Sequence, residues 1–457
     1  VTADVSRWLW TAVTVALWLG LVGLTVWRVR AAARRAAEQG RALAPAAGED
    51  TVLIAFASQT GFGEELAWMT ARALGDGGVG ARPLSFSDLN LETLKGARRL
   101  LVIASTTGEG DAPDGAARFV RQAMKTEVDL SHLSYGLLAL GDRSYDAFCS
   151  FGHAVGDWLD ACGAQTLFDR VEVDDGDAGA IRHWQHQLNQ ITGSTTAPDW
   201  TPPAYDRWRL VERRLLNAGS PGGEAWHLAF EPIDHAPDWA AGDIAEVGLP
   251  VRDGEPSASR EYSVASLPSD GRVEFCIRLM TYPDGKPGLA SGWLTQDLEV
   301  GGETAMRVRA NRGFHAPPPE APIILIGNGT GIAGLRGHLK ARAQHDKTGG
   351  AWLLFGERTQ AHDALYDADL QACLATGVLT RLDRSFSRDG GENRYVQSLV
   401  AEHARTVADW VDRGAYVYVC GSLEGMSKGV HAALEAALGE ERLTRLTDAG
   451  RYRRDVY

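Results

Sequence analysis

From Thr51 the chain runs ValLeuIleAlaPheAla, breaks at SerGlnThrGlyPheGly, and continues as a helical stretch from Glu64 to Leu74. The same succession returns at Arg99–Ser105, a GluGly turn and Ala116–Met124. It returns again at Gly136–Leu140, before the loop at Gly141. An apolar run without alternation is what a strand buried on both faces requires, and parallel sheets covered by helices bury strands that way. Strand, polar loop and helix, three times over, predict a doubly wound α/β domain across residues 51–192.

The pattern then changes. Residues 193–205 are poor in large apolar side chains and hold three prolines, the mark of a linker. Across 206–320 short alternating segments with turn signals, such as ArgValGluPheCysIleArgLeu at 272–279, predict an antiparallel β-barrel. From Pro322 the α/β rhythm resumes, so 321–457 is expected to be a second α/β domain. A length of 457 residues accommodates this multidomain α/β plan. The net charge of −13 would repel a phosphate backbone, which argues against a nucleic-acid partner. The five cysteines form neither a CxxC pair nor a zinc spacing, so free thiols and no metal are expected.

Upstream, Trp8 to Trp27 are twenty residues without a charge, enough for a helix of about 30 Å. Tryptophans stand at both ends of this run. Arg28, Arg30, Arg34 and Arg35 follow it, against Asp4 and Arg7 before it. The expectation is a single-pass transmembrane helix over 8–27 in the inner membrane, with its N-terminus outside. A juxtamembrane tether follows over 28–50, and the remainder of the chain is expected in the cytosol.

The chemistry sits in loops at strand ends. Ser58-Gln59-Thr60-Gly61 joins a strand to a helix start, where hydroxyls and backbone N–H groups converge on an anion. Ser105-Thr106-Thr107-Gly108 and Gly141-Asp142, with Tyr145, Phe148 and Cys149, end neighbouring strands. They therefore open on the same crevice. Further on, Arg260-Glu261-Tyr262-Ser263 lies in the barrel region, and Gly288-Leu289-Ala290-Ser291 leads into a helix N-terminus. Gly329-Thr330-Gly331 opens a strand–turn–helix unit of the kind that holds a dinucleotide.

With these motifs the chain resembles the diflavin reductases, nearest to the sulfite reductase flavoprotein type. The likeness runs over 51–457, through GDRSYDAFC at 141–149, TGEG at 107–110, the RxYS element at 260–263 and the terminal ArgTyrArgArgAspValTyr. The resemblance implies a flavodoxin-like FMN domain, an FAD-binding barrel and an NADPH-binding domain of ferredoxin-reductase type. By it Ser58, Thr60 and Gly61 hold the FMN phosphate. Tyr145 stacks on the ring, and Gln59, Ser105, Thr106, Thr107, Gly108, Gly141, Asp142, Phe148 and Cys149 complete the FMN site. FAD is expected at Arg260, Tyr262, Ser263, Cys276, Ile277, Tyr282, Gly288, Leu289, Ala290, Ser291 and Tyr457. NADPH is expected at Gly329, Thr330, Gly331, Ser387, Arg388, Arg394, Tyr395 and Gln397. Ser263, Cys420, Asp455 and Tyr457 would surround hydride transfer.

The chain departs from the family pattern in four places. Phe62 stands where the family usually has Asn or Thr, Gly334 replaces a usual proline, and Asn393 a common lysine. The short stretch between Gly242 and Arg260 leaves no room for the helical connecting domain. The implied function is electron flow from NADPH to FAD to FMN and on to a haem protein or ferric complex at the membrane. The alternatives are a flavoprotein subunit of a sulfite reductase-type complex and a partner-dependent electron relay.

Overall fold

A computed structural model describes residues 51–457 apart from 144, 194–199, 201–203, 250–258 and 391–393. The expected membrane span 8–27 and tether 28–50 lie outside the described residues, as do most of the linker 193–205 and Asn393. Among the described residues no helix is long and apolar enough to cross a membrane.

The first sheet is parallel and contains β1 (Val52–Ala57), β2 (Ala81–Ser85), β3 (Arg99–Ser105), β4 (Ser134–Gly141), β5 (Gln165–Thr166) and β6 (Val171–Asp174). Its order is β2-β1-β3-β4-β5, and β6 pairs with the far half of β4, so the last position is filled by two short segments. β1 is buried almost throughout, as its uninterrupted apolar run predicts. The helix Phe62–Asp76 buries Leu66, Ala67, Thr70, Ala71 and Leu74, one stripe at helical spacing. Its Thr70 hydroxyl accepts from Trp184 Nε1 at 3.0 Å, which satisfies the indole of the packed helix Ala178–Thr192.

The second sheet is antiparallel, in the order β10-β9-β12-β7-β8-β11. Its strands are β7 (Asp206–Leu215), β8 (Ala225–Pro232), β9 (Ile244–Gly248), β10 (Ser259–Ser263), β11 (Val273–Arg278) and β12 (Glu303–Arg309). Along β7, Trp208 and Leu210 turn inward to a core with Phe230, Phe275 and Met306, while Arg207 and Arg209 face Glu303. The expected barrel does not close by a ladder among the described residues. Beyond Ser263 the chain bends so that Val264 N–H donates to Asp243. Bonds from Ala265 N–H to the Glu274 carbonyl at 2.8 Å, from Glu274 N–H to Ser266 Oγ at 2.9 Å and from Ser266 Oγ to the Arg272 carbonyl at 2.8 Å then cross the seam between the segment after β10 and β11.

The third sheet is parallel, in the order β15-β14-β13-β16-β17, with β13 (Ile323–Asn328), β14 (Ala351–Glu357), β15 (Arg381–Phe386), β16 (Tyr416–Gly421) and β17 (Tyr452–Val456). The chain turns outward in opposite directions from β13, so a crevice opens at the carboxyl ends of β13 and β16. The corresponding crevice of the first sheet lies at the carboxyl ends of β1 and β3.

The first α/β domain docks on the other two through named pairs. Arg307 binds Glu65 as well as Glu246. Arg312 binds Glu64, Arg121 binds Asp448, and Arg454 binds Asp114.

Candidate active site

In the loop after β1, Ser58 Oγ accepts from the N–H groups of Gly61 and Gly63 at 3.0 and 3.1 Å, leaving its own proton to give to an anion. Gly61 takes φ +86° as the cap of the helix that follows, a conformation glycine adopts without strain. Gln59 and Thr60 do not face the crevice alone. Gln59 Oε1 accepts from Asp114 N–H at 3.0 Å, and the Thr60 carbonyl accepts from Arg309 of β12.

Phe62 packs its ring into the helix-side core, with the Arg309 guanidinium 5.8 Å from its centroid. In the loop after β3, Thr106 Oγ1 accepts from Phe151 N–H at 3.3 Å. Thr107 Oγ1 is buried without a partner, a hydroxyl suited to a bound ring or phosphate. Beyond β4, Arg143 N–H donates to Asp174 at 2.9 Å, and the Arg143 guanidinium covers Phe148. Tyr145 is exposed, whereas Cys149 is buried in a left-handed conformation, its thiol pushed up to about 12 by burial.

The second group of residues converges more tightly. Ser263 ends β10, Cys420 lies in β16 and Asp455 in β17. Ser263 Oγ donates to Asp455 Oδ2 at 2.6 Å, and the Cys420 thiol approaches the same oxygen at 3.6 Å. All three are buried. Burial raises Asp455 above the usual carboxylate range, with Ser263 and Cys420 pulling the other way. Burial and the neighbouring carboxylate push Cys420 well above a free thiol, so it serves as a neutral S–H donor.

Gly331 belongs here for steric reasons: a Cβ on it would sit 2.1 Å from the Cys420 carbonyl oxygen. Beside it, a Cβ on Gly334 would lie 3.2 Å from Cys420 Sγ and 3.7 Å from Asp455 Oδ2. Tyr457 is half-exposed. Its backbone N–H donates to the Gly421 carbonyl at 3.1 Å, and its hydroxyl lies 3.2 Å from Thr330 Oγ1.

The other expected flavin contacts divide. Cys276 and Ile277 are buried in β11, with the Cys276 thiol pushed up to about 12 by burial. Tyr262 packs against Phe275 at 5.8 Å between centroids. Tyr282 and Leu289 are exposed on the rim formed where Thr281 bridges Pro287, and Ser291 Oγ accepts from Met280 N–H at 3.0 Å. The helix expected after Gly288 is a single turn, Leu289–Gly292, carrying Ala290 and Ser291 inward, and it widens at once into a π turn. Arg260, expected on a phosphate, instead reaches Asp175 of the first domain at 3.4 Å and its own strand's Ser259 carbonyl. It is half-exposed.

Around the third glycine loop, Ser387 N–H donates to the Glu357 carbonyl at 2.8 Å, and Arg388 N–H to the Arg358 carbonyl at 2.7 Å. The Arg388 side chain is exposed. Arg394 pairs with Glu402, and Tyr395 is exposed. Gln397 Oε1, in the expected dinucleotide site, is also buried without a partner.

Sequence reasoning missed two neighbours. Arg278, at the end of β11, pairs with Glu357 beside Gly329, and burial holds Glu357 above the usual carboxylate range. Arg309 binds the Thr60 carbonyl and Glu261 together. Position offered one signal for Arg278: it shares a strand face with Cys276, two residues away.

The orphaned hydroxyl of Thr107 and the Ser58 cradle fit FMN. The orphaned Gln397 and the glycine loop fit a dinucleotide, and the buried Ser263–Asp455–Cys420 group fits a flavin–nicotinamide junction. Comparison with known proteins agrees at the level of domains. Residues 54–184 match the flavodoxin family model, and residues 325–432 match that of the oxidoreductase NAD-binding domain.

The chain is 28% identical to the sulfite reductase [NADPH] flavoprotein alpha-component of Vibrio cholerae, over 92% of this chain and 89% of that one. It is 28% identical to the same component of Shewanella sp. (strain ANA-3), over 91% and 90%. With that of Aliivibrio fischeri it shares 26%, over 88% and 89%. The first alignment spans 550 positions, longer than the 457-residue chain, so that relative carries stretches this chain lacks. A flavodoxin domain and an oxidoreductase NAD-binding domain on one chain, with this likeness along 92% of its length, support the diflavin reductase family, with FMN, FAD and NADPH as cofactors.

Proposed function

We propose that the chain is the NADPH-dependent flavoprotein component of a sulfite reductase-type complex, delivering electrons to a haemoprotein partner. The observation that carries this reading is the meeting of Ser263, Cys420 and Asp455 on one carboxylate oxygen beside the Gly329–Gly331 loop. Likeness to sulfite reductase flavoprotein components supports this acceptor, and favours this reading over the free-standing haemoprotein or ferric reductase that the sequence put first.

FAD and FMN, when bound, would supply the redox chemistry that turns a two-electron hydride from NADPH into single-electron delivery. The chain's own part is binding, orientation and charge. Asp455 presents a buried carboxylate that favours positive charge on the departing nicotinamide. Ser263 fixes one oxygen of that carboxylate by donating to it, and the Cys420 thiol supports the same oxygen as a neutral donor. Burial of all three excludes water. Tyr457, held through its backbone to Gly421 and by its hydroxyl near Thr330, is the ring that yields its place to nicotinamide. Arg388 and Ser387, at the end of β15, meet the 2′-phosphate that distinguishes NADPH from NADH. Ser58 and the N–H groups at the head of the helix Phe62–Asp76 meet the FMN phosphate.

We also propose that residues 8–27 anchor the chain in the inner membrane. This rests on the charge-free run and its arginine flank, and a reductase serving a membrane-bound haem protein is the second reading. One experiment separates the two. The full chain is purified in detergent and its released FMN and FAD are quantified. NADPH oxidation is then followed with sulfite plus a sulfite reductase haemoprotein component, and separately with cytochrome c. One FMN and one FAD per chain with sulfite-dependent turnover is the expected result. Turnover with cytochrome c alone would select the second reading, and absence of both flavins would overturn either.

A further inference from the structure

The terminal strand β17 has two neighbours at once. On the side of the flavodoxin-like domain, Arg454 Nε donates to both carboxylate oxygens of Asp114, at 3.0 and 3.1 Å, and Nη2 reaches the same group. The Arg454 carbonyl accepts from Gln59 Nε2 at 2.6 Å, and Gln59 Oε1 in turn accepts from Asp114 N–H. Six residues earlier, Asp448, ending the helix Glu440–Asp448, pairs with Arg121 at 2.5 Å. The two pairs have opposite polarity: the first domain offers a carboxylate to Arg454 and a guanidinium to Asp448. A domain shifted along this contact would set like charges together, so the pairs define one register.

The next residue along β17 is Asp455. Successive side chains on a strand point to opposite faces. Arg454 therefore faces the flavodoxin-like domain while Asp455 faces Ser263 and Cys420. β17 is the outer strand of its sheet, laddered only to β16. Beyond that ladder it is held by Tyr452 in the core of its own domain, by Arg453 on the His315 carbonyl, by Asp455 on Ser263, and, from the first domain, through Arg454. The Arg454–Asp114 pair is also better shielded from solvent than the neighbouring Arg312–Glu64 pair, with side chains 25% and 17% exposed against 64% and 19%.

We propose that Asp114 and Arg454 form a latch through which docking of the flavodoxin-like domain holds the terminal strand, and with it the carboxylate that Ser263 and Cys420 share. Arg454 is a positioning residue: it touches no reacting atom and acts through Asp455. Gln59 adds the loop expected at the FMN phosphate to the same contact. Undocking, which frees the first domain to meet a partner, thereby loosens the hydride-transfer end of the molecule. The inference rests on the flavin reading above for its consequence, although the latch itself does not need bound flavin.

The test compares wild type, Asp114→Arg, Arg454→Asp and the double charge exchange, with Asp114→Asn as the mildest change. Two readouts are taken at low salt, on flavin-loaded and flavin-free protein: the radius of gyration by small-angle scattering, and amide exchange of the peptide covering residues 449–457. Each single reversal is expected to extend the particle and to speed exchange of that peptide by about tenfold, with the double exchange returning both towards wild type. Asp114→Asn should move both readouts in the same direction by less. Wild-type exchange at the C-terminus in Asp114→Arg, or a double exchange no better than the single reversals, would overturn the latch. A wild type that released no FMN would defeat the functional reading instead, and would leave the flavin-free comparison standing.

Discussion

Asp455 and Arg388 carry opposite risks at the scale of single residues. Asp455 is buried and its carboxylate meets Ser263 and Cys420, so its charge is felt at short range with little screening. Asp455→Asn keeps the shape and removes the charge. Hydride transfer from NADPH to FAD, followed by stopped flow at saturating NADPH, should slow on the order of 10²-fold, with flavin content unchanged. An unchanged rate would remove Asp455 from the reacting site. Arg388 is exposed, so only its ligand gives it a role. Arg388→Ala should raise the KM for NADPH by about tenfold and leave that for NADH alone, since NADH has no 2′-phosphate to lose. Equal effects on both would show that Arg388 does not read that group.

At the scale of elements, the crossing of the glycine loop and β16 is the tightest point of the third sheet. A Cβ at Gly331 would meet the Cys420 carbonyl oxygen at 2.1 Å and Gly421 Cα at 2.7 Å, both backbone atoms that cannot rotate away. Gly331→Ala must therefore part the loop from the strand. The expected cost is about 1–3 kcal/mol of stability in that domain. NADPH binding, measured by titration calorimetry, should be lost with it. FMN content should be retained, because the first sheet has its own cores, built on β1, β3 and β4. Simultaneous loss of FMN would show the domains to be less independent than their cores imply.

Across the whole molecule, the second and third sheets are clamped by Glu274 of β11, which binds Arg336 and Lys340 from the helix Ile332–Ala343. Burial works to raise Glu274, but the hydrogen bond and charge of Arg336, with Lys340 behind them, overcome it and hold the carboxyl at about 2. Its folded value thus lies below its unfolded one near 4.5. The stabilisation is complete above that value and disappears as pH falls towards 2. Glu274→Gln removes the buried anion shared by Arg336, Lys340 and Arg272, which keep Asp369, Asp270 and Glu212 as partners, and should cost about 2 kcal/mol at neutral pH by chemical denaturation. The gap between variant and wild type should narrow steadily below pH 4.5. A gap independent of pH would mean that packing, not charge, makes the clamp.

Much of this was legible before any coordinates. The runs that became β1, β3, β4, β13 and β16, and the loops at Ser58 and Gly331, could be read because a buried parallel strand followed by a turn and a helix is a local pattern, complete within about thirty residues. Ser263, Cys420 and Asp455 were named through resemblance alone. Ser263 and Asp455 stand 192 positions apart, and no spacing rule joins them. The two arginines that escaped notice, Arg278 and Arg309, are single cations on alternating strands, where an outward charge is the ordinary case.

The seam that leaves the second sheet short of a barrel depends on where the chain bends after Ser263. The docking of the first domain depends on which faces meet across a linker. Backbone preference and hydrophobic period act between neighbours in the chain, so the sequence by itself determined the strands, the helices and the phosphate-binding turns. Ion pairs and shared hydrogen bonds act between neighbours in space. Only the tertiary structure could decide that Arg454 meets Asp114 while the next residue completes the site with Ser263.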